Sequence, residues 1–345
     1  MVNFSGCYTA LITPMTQTSK VDYEGLRRLI EFQIKEGVSG ILAVGTTGES
    51  PTLDWDEHNK VIEIVYEHTG NKGLTIAGTG SNSTKETMEG TEHAAHLGVK
   101  CVLLVDPYYN GPSSLEIRKE YVEPVAKRFP EVQVIPYVIP GRTGTQLYPQ
   151  DLAVLHQQYP NVSCVKEATG DLDNMRLTRN LCGSDFAILS GDDDKTFAMM
   201  TAPDIAAAGV ISVASNVAPR AVQSLTQALR DNRTEDANML YAALKPLFDM
   251  VTVKTLEQTS FGAVTCKARN PLAFKTLMNV IGMPSGQCRQ PLGKMTHAGL
   301  EIVLANARKV HENNPSILQP IADFFSVDLG ERLYNERFWQ GLTYA

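Results

Sequence analysis

Eight times along the chain, a short and almost wholly apolar run is followed by a longer amphipathic stretch. The runs are Tyr8–Pro14, Gly40–Gly45, Leu74–Gly80, Cys101–Asp106, Val132–Val138, Ser163–Ala168, Phe186–Gly191 and Ala207–Val213. Apolar residues that do not alternate with polar ones mark strands covered on both faces, as in parallel sheets. Between the runs, segments such as Asp22–Glu36 put Leu26, Leu29, Ile30 and Ile34 on one side, the helical period. In Ser83–Leu97, Ser83 and Glu86 have the spacing of a capping box. Eight such pairs, with no GxGxxG after the first strand, predict a closed (β/α)8 barrel rather than an open dinucleotide-binding sheet.

The expected organisation is a catalytic barrel over residues 1–232, a C-terminal helical region over 233–313 with helices near 234–250 and 270–282, and an extension over 314–345. Phe324, Phe325, Tyr334, Phe338 and Trp339 make that extension too aromatic for a disordered tail. It is expected to pack on the barrel or on a neighbouring subunit.

Composition narrows the functions. The 345 residues carry a net charge of −7, which offers no basic footprint for nucleic acid. No apolar stretch reaches membrane-spanning length, and the first residues have no secretory pattern, so a cytoplasmic protein is expected. Six cysteines lie at 7, 101, 164, 182, 266 and 288 without a CxxC pair, which suggests reduced, buried thiols.

In a barrel of this type, reactive groups stand at the C-terminal ends of the strands. The second run ends in Gly45-Thr46-Thr47-Gly48-Glu49-Ser50, whose hydroxyls and amides suit an anion, although a plain glycine-rich turn reads the same way. The sixth ends in Lys166-Glu167-Ala168-Thr169-Gly170. A lysine within an apolar run is costly to bury charged, so its amine is driven toward the neutral, nucleophilic form. Glu167 points to the other face of the strand and is a poor partner for it. The fifth run ends in Tyr137 and leads to the loop Gly141-Arg142-Thr143-Gly144, a phenol for proton transfer and a fork for a carboxylate. The fourth leads to Pro107-Tyr108-Tyr109-Asn110. The seventh leads to Ser190-Gly191-Asp192-Asp193-Asp194, read as the acidic start of a helix rather than a metal site. His93 and His96, three apart on one helix, are read as a solvated face, and no metal site is expected.

Taken together and in this order, these segments resemble the dihydrodipicolinate synthase family of pyruvate-dependent class I aldolases, to which N-acetylneuraminate lyase is related. The resemblance spans about residues 4 to 312. It implies that Lys166 forms a Schiff base with pyruvate, with no other cofactor. It implies that Thr46 and Thr47 cradle the pyruvate carboxylate. Tyr137 would act as general acid and base, with Thr47 relaying protons to Tyr109 from a neighbouring subunit. Gly191 and Ile211 would line the site, and Arg142 would hold the carboxylate of aspartate semialdehyde, an arginine that the sugar-acid lyases do not usually carry. An allosteric lysine site is implied at Ser50, Pro51, Trp55, His58, Asn82, Glu86 and Tyr108, and a homotetramer of tight dimers as the assembly. The family's Tyr-Asn-Val-Pro is replaced here by Tyr137-Val138-Ile139-Pro140, a departure that bears on the acceptor. The alternatives are another pyruvate-dependent aldolase, or a non-catalytic sensor on the same barrel.

Overall fold

The structure, a computed structural model, describes residues 2–344. Eight parallel strands close into a barrel in chain order: β1 Gly6–Ala10, β2 Gly40–Ala43, β3 Leu74–Gly78, β4 Cys101–Val105, β5 Gln133–Val138, β6 Cys164–Glu167, β7 Ala187–Ser190 and β8 Gly209–Ser212. The seam pairs β8 with β1, Gly209 opposite Gly6 and Ile211 opposite Tyr8. A Cβ on Gly209 would stand 2.0 Å from the Gly6 carbonyl oxygen, so the seam closes only with glycine there.

Each strand sends alternate side chains inward and outward. The inward set includes Tyr8, Leu42, Ile76, Leu103, Ile135, Cys164, Leu189 and Ile211, all buried. Outward residues such as Ile41, Val102, Leu104, Val165 and Val210 merge with the helical layer into one larger apolar cluster. Because the period is two, Tyr137 follows Ile135 inward and Lys166 follows Cys164 inward, while Glu167 turns out. Glu167 there accepts the Thr169 amide at 2.7 Å and the Asn174 side-chain amide at 3.0 Å.

The helices follow their sequence signals. Tyr23–Lys35 starts where the Asp22 carboxylate accepts the Gly25 amide at 2.9 Å, and it buries Leu26, Leu29 and Ile30. Thr84–Leu97 starts at Ser83, but the capping box forms only by half. Ser83 Oγ accepts the Glu86 amide at 3.4 Å, whereas the Glu86 carboxylate takes the Ser81 hydroxyl. Among the described residues, no helix is long and apolar enough to cross a membrane. All six cysteines are free, and only Cys266 is not buried.

After β8 come the helices Thr234–Phe248, Leu272–Val280 and His297–Asn313. The stretch read as helical from sequence also contains an antiparallel hairpin, β9 Thr252–Thr259 and β10 Gly262–Arg269. Its chemistry is visible in retrospect: two runs rich in threonine and valine, alternating in polarity, joined by Ser260-Phe261 and followed by glycine. One face of the hairpin leans on the last long helix, where the Thr255 and Thr296 hydroxyls lie 3.0 Å apart. The C-terminal extension packs on the barrel's own first helix. The rings of Phe324 and Phe325 lie 5.4 and 5.3 Å from that of Phe32, and Leu318, Ile321 and Leu333 are buried in the same apolar cluster as the helical layer.

Candidate active site

Two cavities meet at the C-terminal mouth of the barrel. The larger, of about 450 Å³, is lined by Thr46, Thr47, Tyr137, Arg142, Lys166 and Gly191, which are six of the expected site residues. The smaller, of about 200 Å³, shares Thr46, Tyr137 and Arg142 and extends to Ser50, Pro51 and Tyr108.

Lys166 lies on β6 directly opposite Tyr137 on β5. Its nitrogen stands 4.0 Å from the centre of the Tyr137 ring. Burial lowers its pKa from 10.5 to about 7; Asp192 and Asp193 oppose that shift and Arg142 adds to it. Gly191 leaves the room this requires, since a Cβ there would meet Ala168 Cβ at 2.7 Å and Lys166 Cε at 3.2 Å. The Tyr137 phenol is pushed well above its ordinary value, chiefly by burial, so it stays protonated; Arg142 and the nearby Thr46 hydroxyl pull the other way.

The Thr46–Gly48 turn follows β2, and a further residue holds it. Asn270 Nδ2 donates to Thr47 Oγ1 at 2.9 Å, which leaves the threonine hydroxyl proton free to donate into the cavity. Asn270 was missed in the sequence because it lies 223 residues from Thr47. Next in the turn, Glu49 is a structural bolt. Its carboxylate meets the buried Lys275 ammonium at 2.6 Å and accepts the Arg289 amide at 2.7 Å. Lys275 also donates to the carbonyls of Thr13 and Gln287, at 3.0 and 3.1 Å.

Arg142 sits on the short helical turn Pro140–Thr143, with one guanidinium nitrogen donating to the Asn270 carbonyl at 3.1 Å and burial lowering its pKa. Ile211 is fully buried in the barrel interior, and Val213 takes the place beside the cavity. Tyr109 stands at φ +81° and is 93% exposed, outside both cavities.

The acidic run after β7 divides its roles. Asp193 accepts the Ser212 hydroxyl and the amides of Val213 and Ala214, which ties β7 to the end of β8. Asp192 lines the larger cavity, and burial raises its pKa to about 6, with Asp194 adding and Lys166 opposing. Among the described residues, no group of three or more His, Cys, Asp or Glu gathers as metal ligands.

Of the residues assigned to the allosteric site, Ser50, Pro51 and Tyr108 line the smaller cavity. His58 and Trp55 pack with ring centres 4.6 Å apart and planes tilted by 53°, and His58 Nε2 lies 3.2 Å from Ser50 Oγ. Burial, helped by His93, lowers His58 to about 4, so its ring is neutral near pH 7. Asn82 accepts the Tyr108 amide at 2.7 Å and orients the tyrosine turn.

An inward lysine kept close to neutrality at the mouth of a closed parallel barrel, against a protonated phenol, is the requirement of a class I aldolase-type lyase, and fold and site place the chain in that class. The comparisons with known proteins narrow it further. A family model described as the dihydrodipicolinate synthetase family matches residues 3–308, and the chain belongs to that family. The 4-hydroxy-tetrahydrodipicolinate synthase of Methanococcus maripaludis is 38% identical over 302 residues, covering 88% of this chain and 96% of that one. The crystal structure of dihydrodipicolinate synthase from Aquifex aeolicus superposes with a TM-score of 0.81 at 35% identity, covering 92% of this chain and all of that one. The enzyme from Cyanidioschyzon merolae with lysine bound superposes with a TM-score of 0.80 at 31% identity, covering 89% and 98%.

Proposed function

We propose that this chain condenses pyruvate with L-aspartate 4-semialdehyde through an imine on Lys166 to form 4-hydroxy-tetrahydrodipicolinate, the first committed step toward diaminopimelate and lysine. The observation that carries the reading is the Lys166 amine, buried, lowered to about 7 and 4.0 Å from the centre of the Tyr137 ring.

The neutral amine attacks the pyruvate keto carbon. The tetrahedral adduct loses its hydroxyl as water, with the Tyr137 phenol giving the proton. The iminium so formed gives a methyl proton to the Tyr137 phenolate, and the enamine attacks the aldehyde of the second substrate, whose oxygen takes that proton back. The acceptor's own amine then displaces Lys166 from the imine, which closes the ring and frees the lysine. Thr46 and Thr47 receive the pyruvate carboxylate, supported by the hydrogen bond that Asn270 gives Thr47. Arg142 receives the carboxylate of the semialdehyde. Its place in the lining beside Lys166 favours this acceptor over a neutral polyol chain.

Tyr109, exposed at 93% and held at a positive φ, fits a side chain that completes the site of a second copy, with Thr47 as the relay between it and Tyr137. The assembly is then a homotetramer built from tight dimers, working in the cytoplasm. L-lysine inhibits from the smaller cavity. Support for this comes from its lining by Ser50, Pro51 and Tyr108, from the walls it shares with the catalytic cavity at Thr46 and Tyr137, and from the lysine-bound relative.

Borohydride reduction in the presence of pyruvate tests the core of the reading. The expected mass adduct falls on the peptide containing Lys166 and vanishes in Lys166→Ala; an adduct elsewhere refutes it. Turnover of pyruvate with aspartate semialdehyde, measured against cleavage of sugar acids, tests the acceptor. Unchanged turnover in millimolar L-lysine would remove the allosteric assignment.

A further inference from the structure

The hairpin inserted after the eighth barrel unit brings charge into the catalytic cavity that a single acceptor carboxylate does not require. In the β9–β10 register, Lys254 lies opposite Lys267, and Thr252 opposite Arg269. Directly opposed residues of an antiparallel pair project from the same face. All four line the cavity that holds Lys166. The lining therefore has five basic side chains, Arg142, Lys166, Lys254, Lys267 and Arg269, against one acidic side chain, Asp192.

These cations are not consumed by the fold. Among the described residues, no ion pair engages Lys254, Lys267, Arg269 or Arg142. Arg269 donates once, to the Gly141 carbonyl at 3.1 Å, which ties the hairpin base to the Arg142 turn and leaves most of its donors free. Two lysines facing each other across a two-stranded ribbon repel, so the pair weakens the hairpin unless an anion lies between them. An acceptor with one carboxylate is served by Arg142 alone, which leaves the hairpin cations available to another anionic group.

We propose that Lys254, Lys267 and Arg269 form a second anion subsite at the barrel mouth, holding an additional carboxylate or phosphate of a ligand whose first anionic group rests on Arg142. The subsite rests on the Schiff-base reading only in taking this cavity as the reaction chamber. It leaves aspartate semialdehyde to Arg142 as acceptor and gives the chamber added affinity for dianionic, product-like inhibitors that span Arg142 and the hairpin cations.

Calorimetric titration of the full-length protein, with and without pyruvate, tests this using glutarate, 3-phosphonopropionate and, as the singly charged control, butyrate. At least one dianion is expected to bind ten-fold or more tightly than butyrate. Preference for glutarate marks a carboxylate subsite and preference for the phosphonate a phosphate subsite. The advantage is expected to disappear in Lys254→Gln/Lys267→Gln. Lys254→Glu should lose it too, although the new cross-strand pair with Lys267 keeps the melting temperature at or above that of the parent. Equal binding by parent and variants, or no preference for a dianion, overturns the subsite. Failure of borohydride trapping on the unmodified protein overturns the Schiff-base reading instead, so the two failures are separable.

Discussion

Lys166 and Tyr137 are register partners on adjacent strands, and the lysine nitrogen stands 4.0 Å from the centre of the phenol ring. The pairing sets two opposed demands. The ring face attracts the charged amine, whereas burial favours the neutral one, and burial prevails, with the pKa lowered to about 7.

Imine formation needs the neutral amine, so its rate should rise with pH through about 7 and level off above that. Asp192 favours the charged lysine, so removing its charge in Asp192→Asn should move the acid limb to lower pH. The pH dependence of borohydride trapping measures both. A limb centred near 10, or a shift to higher pH in Asp192→Asn, contradicts the account.

The same amine weakens the fold. A lysine whose folded pKa lies below its unfolded value costs stability in full where both states carry the proton, and the cost falls through the interval in which only the unfolded chain does. The cost is full below about pH 7 and fades as the pH rises toward 10.5. Lys166→Met should therefore be more stable than the parent near pH 6 by on the order of a few kcal/mol. The gain should shrink toward pH 10 while trapping is abolished. Denaturant melts at the two pH values check the sign.

Gly191→Ala should keep the fold and lose the chemistry. The added methyl meets Lys166 Cε at 3.2 Å and Ala168 Cβ at 2.7 Å. A stability loss of about 1–3 kcal/mol is expected from overpacking, together with a fall in kcat of about a hundred-fold as the amine is displaced. Parental kcat in a folded variant would exclude the steric role given to this glycine.

Asn270 is a positioning residue for Thr47. Removing its side chain in Asn270→Ala should raise the KM for pyruvate several-fold with a smaller effect on kcat, in line with the loss of one hydrogen bond worth about 1 kcal/mol. Asn270→Asp cannot donate in its ionised form and should behave in the same way. A fall in kcat at unchanged KM would instead place Thr47 in the chemical step alone.

The Glu49–Lys275 pair is buried on both sides. Lys275→Met leaves a carboxylate without its cation, and a loss of about 3–5 kcal/mol is expected. Glu49→Leu/Lys275→Met should recover much of that loss, because no charge is then left buried. Urea midpoints of the two variants separate this from simple packing. Equal losses in both would show that the charge is not the cause.

The eightfold alternation of apolar runs and amphipathic helices was legible from the chain because burial on both faces forces strands to be continuously apolar, a local property. Lys166 was legible for the same reason, as a charge inside such a run, and so were the strand-end positions of Tyr137 and Thr46-Thr47. Only the tertiary structure decided which groups surround them. Asn270 reaches Thr47 across 223 residues, Lys275 reaches Glu49 across 226, and the β9–β10 hairpin turns Lys254, Lys267 and Arg269 toward a cavity made by residues far upstream. Periodicity records which face of an element is apolar; it does not record which distant polar group will meet that face once the barrel closes, and the electrostatics of this site depend on that meeting.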